Sequence, residues 1–196
     1  MGTPVELIKE ELLSDNWYIL KKITYRYRTR AGEWKILSRE AYDRGNGAVI
    51  LLFNANENKV ILTRQFRLPT YINGNNDGWL MEACAGLLDN DTPEVAIKRE
   101  TEEETGLRIQ HVDKIFEAYM SPGSVTEKLY FFIGHYTSRS QQTSGGGVDE
   151  EDIEVVELLL PVAMEMIKSG EIRDGKTIML LQHLWISQLT AAALSA

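Results

Sequence analysis

Cysteine is almost absent from this chain. Cys84 is the single one in 196 residues, so no internal disulfide can form, and a reducing cytoplasm is the simplest setting. Histidine is nearly as sparse. His111, His135 and His183 are scattered over different elements without zinc-ligand spacing, and no Cys–His pair suggests nucleophilic catalysis. Long apolar runs are missing, since no stretch approaches the ~20 residues that cross a bilayer. Residues 1–16 carry four acidic residues and no apolar run, and so read as neither signal peptide nor anchor. Basic residues are outnumbered, 21 against 29 acidic ones for a net charge of -8, which argues against a protein that coats nucleic acid. Repeats and low-complexity linkers are also lacking.

What is present is enough for a core. The chain is 43% hydrophobic, a suitable content for one compact domain of this length. Residues 17–29 and 33–43 are rich in aromatic and β-branched side chains around Arg30-Ala31-Gly32, and predict a long β-hairpin. Strands are expected over 49–53, 60–66, 79–83, 114–119, 128–136 and 153–160, with a Gly- and Asn-rich loop at 71–78. Residues 93–105 predict a helix, with Thr92 as cap, Pro93 at the first position and Gly106 as the stop. A mobile loop is expected over 138–147, and helices over 161–169 and 176–193. This order is mixed α+β, not a regular βαβ alternation.

The helix at 93–105 carries the chemistry. Glu100, Glu103 and Glu104 fall within one turn, where three carboxylates repel one another. A hard divalent cation removes that penalty and favours oxygen ligands. Arg99 stands four residues before Glu103 and can hold it, while Val95, Ala96 and Ile97 are expected to face the sheet. An isolated acidic run is usually a solvated surface. Here the run is framed by Arg99-Glu100, by Thr105-Gly106, and by Gly86 at a strand–loop–helix distance.

The stretch from Gly86 to Leu107 resembles the Nudix box. Arg99-Glu100, Glu103-Glu104, Gly106 and Leu107 match it in register. Two positions depart: Thr101 stands where an aliphatic residue is usual, and the segment after Gly86 is one residue short. Thr92 therefore falls where a first Glu is expected, and Asp91 is the nearest acid. Pro122, fifteen residues after Leu107, is similar to the mark of Nudix enzymes acting on ADP-ribose and related sugars. Residues 42–48, 64–67, 84–90 and 171–177 look like the bacterial GDP-mannose pyrophosphatases.

That resemblance implies an α/β/α Nudix sandwich with a mixed sheet. Residues 1–43 would form N-terminal β-strands exchanged between the subunits of a homodimer, and 44–196 the hydrolase domain. It implies a cytoplasmic, magnesium-dependent hydrolase, with Mn2+ a possible substitute for Mg2+. GDP-mannose would be the nucleotide sugar cut, to GMP and mannose 1-phosphate, with nucleic acid and membrane excluded as partners. An ADP-ribose or ADP-sugar pyrophosphatase is the alternative, and a non-catalytic nucleotide-binding relative a more distant one.

By the same resemblance the metal ligands are Glu100, Glu104, Glu151 and the Ala85 carbonyl. The catalytic acids are Glu151, Glu150 and Glu103. Substrate contacts would come from Trp17, Ser38, Arg39, Glu40, Arg67, Ala85, Gly86, Leu87, Glu104, Glu127, Glu150 and Lys176. Five of these have a plainer alternative: Trp17 as core or interface, Arg67 as a strand-end surface residue, Glu150 and Glu151 as a solvated turn, and Lys176 as a solvated residue in the first turn of the last helix.

Overall fold

A computed structural model describes residues 4–148 and 152–194, which fall into two compact units. One holds residues 4–46 with 119–128, and the other holds the remainder.

The first unit is a three-stranded antiparallel sheet of β1 (Val5–Asp15), β2 (Ile19–Arg28) and β3 (Trp34–Asp43), in that order. The hairpin expected at 17–43 is thus two-thirds of a larger sheet. The strand that the sequence reading missed is β1, where Glu6, Lys9, Glu10 and Glu11 mask the apolar positions. Two register shifts, between Leu7 and Lys9 and between Leu12 and Ser14, also break its alternation. The 119–128 segment joins this unit through Tyr42, whose N–H donates to Ser124 O at 2.8 Å and whose carbonyl accepts from Thr126 N at 3.0 Å.

The second unit is organised by β4 (Gly47–Asn54), in which every residue is buried. A continuous apolar run of this kind marks a strand covered on both faces. β5 (Lys59–Phe66), β8 (Val112–Tyr119), β9 (Lys128–His135) and β10 (Glu154–Leu159) complete the order β10-β5-β4-β9-β8. β4 runs parallel to β9 and antiparallel to β5, so the sheet is mixed.

The strand expected at 79–83 is present, and a further strand that was not foreseen follows it with a different partner. β6 (Trp79–Glu82) pairs with β5, while β7 (Cys84–Leu87) pairs with β4. β4 meets β5 only over Leu52–Asn54, and the two then diverge. The chain crosses the resulting gap at Ala83, and the box begins on the far side.

Among the described residues three α-helices follow the expected pattern, with one addition, α1 (Leu68–Ile72), a short helix that was not foreseen. α2 (Pro93–Thr105) has the predicted bounds. Pro93 opens it, and Gly106 closes it with φ +73°, the left-handed value that glycine adopts without strain. Thr92 occupies the cap position through its backbone carbonyl alone. The face expected of α2 needs one correction: Ala96 and Ile97 are buried, but Val95 is 53% exposed. Thr101, Glu104 and Thr105 take the remaining inward positions.

α2 and β7 bury Ile97 and Cys84 against Ala48, Ile50, Leu52 and Phe132. Alternation along β4 sends Val49, Leu51 and Phe53 to the opposite face. α3 (Leu160–Ser169) and α4 (Gly175–Leu194) cover that side, where His183 packs edge-on to Phe116 and Phe116 on Phe131. Helices thus lie on both faces of a mixed sheet, as the α/β/α sandwich implied by the resemblance requires. One expectation about apolar runs needs correction, because α4 is long and apolar enough by mean hydropathy to cross a membrane. Its Thr177, Leu180, Leu181 and Leu184 are instead buried in this unit.

Candidate active site

The box begins where β7 leaves the sheet. Gly86 lies so close beneath Glu100 that any Cβ on it would overlap the Glu100 carboxyl group. Glycine is therefore needed here for space. The α2 spacing then delivers the three carboxylates in order of increasing burial: Glu103 is partly exposed, Glu100 less so, and Glu104 is only 3% exposed.

Arg99 collects the acids at the outer edge. Its Nη1 lies 2.8 Å from Glu100 Oε1 and 3.2 Å from Glu103 Oε2, and Asp89 and Asp91 each approach within 3.7 Å. Burial opposes the Arg99 charge, but the fields of Glu100 and Glu103 more than offset it and raise its pKa. Asp91 thus reaches the box arginine from the shortened segment, beside the Thr92 that stands in the place of the usual Glu. Thr101 is also accommodated. It is fully buried, and its hydroxyl donates to Ile97 O at 2.6 Å, so the polar atom is satisfied within the helix.

Cys84 packs beneath the same acids. Burial first, then the charge of Glu104 and a hydrogen bond with it, push the Cys84 thiol well above its ordinary pKa. This is an inert, protonated thiol, in keeping with a small buried residue.

A second cluster forms where β5, β6 and α4 meet. Arg67 follows the end of β5, and its Nε donates to Glu82 Oε1 at 2.6 Å and its Nη2 to Glu82 Oε2 at 3.3 Å. Lys176, in the first turn of α4, also donates to Glu82 Oε2 and lies 3.0 Å from Asp174 Oδ1. Asp174 Oδ2 caps that helix, accepting from Thr177 N at 3.0 Å and from its hydroxyl at 2.6 Å. The Thr177 hydroxyl oxygen in turn accepts the Ala83 N–H at 2.6 Å, tying α4 to the point where the chain crosses between strands.

Burial would raise the Glu82 pKa. The charge of Lys176 and the hydrogen bond from Arg67 overcome it and hold the carboxyl below its usual range. Burial likewise works against Lys176, and Glu82 and Asp174 restore its charge and raise its pKa. The negative field of Glu104 also reaches Arg67, which connects this cluster with the box.

The second unit therefore gathers Ala85, Gly86, Leu87, Glu100, Glu103, Glu104, Arg67 and Lys176. Glu82, Asp174 and Thr177 join them and were missed by sequence reading. Glu82 did leave a signal, as a lone acid in the apolar run Trp79-Leu80-Met81-Glu82-Ala83-Cys84. Such a residue must find cationic partners when buried.

Trp17, Ser38, Arg39, Glu40 and Glu127 belong to the other unit. Trp17 is 81% exposed and stacks on Tyr18 with ring centroids 5.4 Å apart. Ser38 pairs with Thr24 at 2.9 Å, and Arg39 Nη1 donates to Ser38 O at 2.8 Å. Arg39 and Glu40 line a cavity of about 550 Å³ with Ile23, Tyr25, Pro122 and Ser124. Glu127 pairs with Arg44 at 3.4 Å, a partner that the sequence did not suggest. Glu150 and Glu151 lie outside the described residues.

The 138–147 loop, expected to be mobile, is docked. Gly146 N–H donates to Glu104 O at 2.8 Å and Gly147 N–H to Glu103 O at 3.1 Å, so the glycines cap the last carbonyls of α2. Gln142 N–H donates to Gly106 O at 2.8 Å.

Hard carboxylate oxygens on one helix face suit a divalent cation of the magnesium class, and Gly86 leaves room for Glu100 among them. Among the described residues no three acidic, imidazole or thiol side chains converge closely enough to enclose an ion. Glu100 and Glu103 both turn toward Arg99 instead.

Comparison with known proteins agrees with this layout. Residues 4–42 match the family model described as GDP-mannose pyrophosphatase NudK N-terminal domain, and residues 43–181 match the NUDIX domain. The GDP-mannose pyrophosphatase of Enterobacter sp. (strain 638) is 54% identical over 191 residues, covering 97% of this chain and 100% of that protein. Those of Shigella flexneri and Escherichia coli O157:H7 are each 54% identical over 189 residues, covering 96% of this chain and 99% of theirs. A crystal structure of an ADP compounds hydrolase superposes with a TM-score of 0.70, covering 94% of this chain and 95% of that one, at 15% identity.

Proposed function

This chain belongs to the Nudix hydrolases, and from that footing we propose that it hydrolyses GDP-mannose to GMP and mannose 1-phosphate. The observation that carries the reading is the pairing of two clusters in one unit: the carboxylates of α2, and Arg67 with Lys176 on Glu82. A diphosphate needs both a cation site and fixed positive donors to offset its charge.

In the proposed mechanism Glu100, Glu104 and the Ala85 carbonyl would hold Mg2+, or Mn2+ in its place, with Glu151 as a further ligand. The bound cation supplies charge neutralisation at the phosphoryl oxygens. Arg67 and Lys176 donate to the diphosphate, Arg67 through its planar fork. Ala85, Gly86 and Leu87 offer backbone along the substrate, and Glu104 lies at the junction with the box. Glu151 or Glu150 takes a proton from the attacking water, and Glu103, held by Arg99, assists. One P–O bond of the bridge breaks and one forms to water oxygen, giving the two monophosphates.

Residues 1–43 serve dimerisation and carry substrate contacts across the interface, and 44–196 carry the hydrolytic machinery. The exposed Val5, Leu7, Ile8, Leu12, Trp34 and Ile36 support a homodimer, since so much exposed apolar surface favours a partner. Trp17, Ser38, Arg39 and Glu40 then contact the nucleoside, and Glu127 the sugar. The buried thiol of Cys84 suits a cytoplasmic setting, with no nucleic acid or membrane involved.

The test incubates purified protein with GDP-mannose or with ADP-ribose, with and without magnesium, and identifies products by chromatography. GMP and mannose 1-phosphate formed only with metal, and faster than AMP from ADP-ribose, is the expected result. Faster AMP release would overturn the substrate assignment. Inertness toward both would overturn catalysis itself.

A further inference from the structure

We propose that Glu82 is the positioning residue that holds Arg67 and Lys176 as one donor pair for the diphosphate, an inference that rests on the reading of those two as substrate contacts. Glu82 joins three elements. It sits at the end of β6, Arg67 follows β5, and Lys176 opens α4, more than ninety positions from Glu82 in sequence.

The donors that remain on each cation define the pair. Arg67 presents its Nε and Nη2 edge to Glu82, which leaves the Nη1 side of the fork for another acceptor. The Arg67 side chain as a whole is 40% exposed, so its burial against Glu82 is partial. Lys176 has three ammonium hydrogens, and Glu82 and Asp174 account for two. Each cation is therefore held by a buried acid and retains a donor.

The carboxylate also restrains two long side chains. An unheld arginine or lysine loses rotamer freedom when it grips a ligand, and that loss weakens binding. With Glu82 in place the ordering is done when the chain folds. Asp174 supports the same arrangement from the helix cap, but it touches Lys176 alone. Glu82 is the one side chain seen to bond both cations among the described residues.

The experiment is steady-state kinetics on GDP-mannose with magnesium, for wild type, Glu82→Gln, the double variant Arg67→Ala/Lys176→Ala, and the triple variant. Glu82→Gln should raise KM about tenfold, with kcat within about threefold of wild type, as expected when two side chains must be ordered on binding. The triple variant should match the double, because Glu82 then has nothing left to position. A KM unchanged in Glu82→Gln, with only kcat or folded yield reduced, would overturn the inference and leave Glu82 a purely structural ion pair. So would a triple variant markedly worse in KM than the double. If Glu82→Gln does not fold, Glu82→Asp takes its place, because its shorter reach cannot serve both cations, and the same KM rise is expected. Wild-type protein inert toward the nucleotide sugar overturns the proposed function and this inference together. An active wild type with an unmoved Glu82→Gln KM overturns this inference alone.

Discussion

The Glu100 carboxyl group occupies the space that a side chain on Gly86 would need. The two residues are fourteen positions apart, on β7 and α2, yet the end of the strand and the helix face are built around that contact. Any residue other than glycine at 86 must push the proposed ligand aside.

Gly86→Ala should therefore separate activity from stability. The displaced atoms are the Cγ, Cδ and Oε1 of one flexible side chain and no backbone, so stability should fall only slightly, by less than about 1 kcal/mol. Activity with magnesium should drop about 10- to 100-fold, the range seen when a metal ligand is misaligned. Kinetics and thermal melts on the same preparation check both halves.

Glu100→Gln and Glu104→Gln should each abolish most magnesium-dependent hydrolysis. They should also remove the rise in melting temperature that magnesium gives wild type, since a cation bound only by the folded state stabilises it by mass action. Melts with and without magnesium read this independently of turnover. Two fully active variants would sink the ligand assignment.

Gly145→Ala should damage folding. Gly145 has φ +67°, and a Cβ there would come within 2.5 Å of the Glu104 carbonyl oxygen. Backbone meets backbone, so neither partner can swing away. A loss of roughly 1–3 kcal/mol is expected in urea unfolding.

The Glu82 cluster should leave a signature in stability against pH. Its carboxyl is held below the ordinary range, so its contribution is present above the unfolded value of roughly 4.3 and is lost as pH falls through the lower folded value. Lys176 is raised, so its share is full below the unfolded value of roughly 10.4 and is lost as pH climbs through the higher folded value. Glu82→Gln should thus cost about 2 kcal/mol near neutrality, a value reduced for the partial exposure of Arg67, with the gap to wild type closing below roughly pH 4. A gap that stays constant down to pH 3 would contradict the assignment. Urea titrations across pH measure it.

The sequence was most legible where local chemistry decides structure. Pro93, Gly106 and the carboxylate spacing located α2 to the residue, and the apolar run at 49–53 located a strand, whose burial on both faces only the structure showed. Legibility failed where long-range pairing decides. Nothing in Trp79 to Leu87 says that the strand changes partner at Ala83, because both halves are equally apolar. β1 was hidden by its charges and its register shifts. Glu82 was passed over because its partners, Arg67 and Lys176, are distant in sequence, although burial alone demanded a cation. The three glycines at 145–147 read as freedom of movement. The N–H groups of Gly146 and Gly147 complete the end of a helix, a role that depends on where the loop lands.

The sheet of β1, β2 and β3 contains no fully buried residue within one chain. A three-stranded ribbon wet on both faces has little to resist opening, and its backbone amides should exchange with solvent quickly wherever nothing covers them. If a second copy supplies the cover, protection of those amides will depend on how much protein is in the tube. Hydrogen exchange of residues 5–43 should then slow as concentration rises, while exchange in the fully buried β4 stays the same. The nucleoside contacts proposed on this sheet would share that dependence, so dilution would weaken substrate capture before it unfolded the catalytic unit.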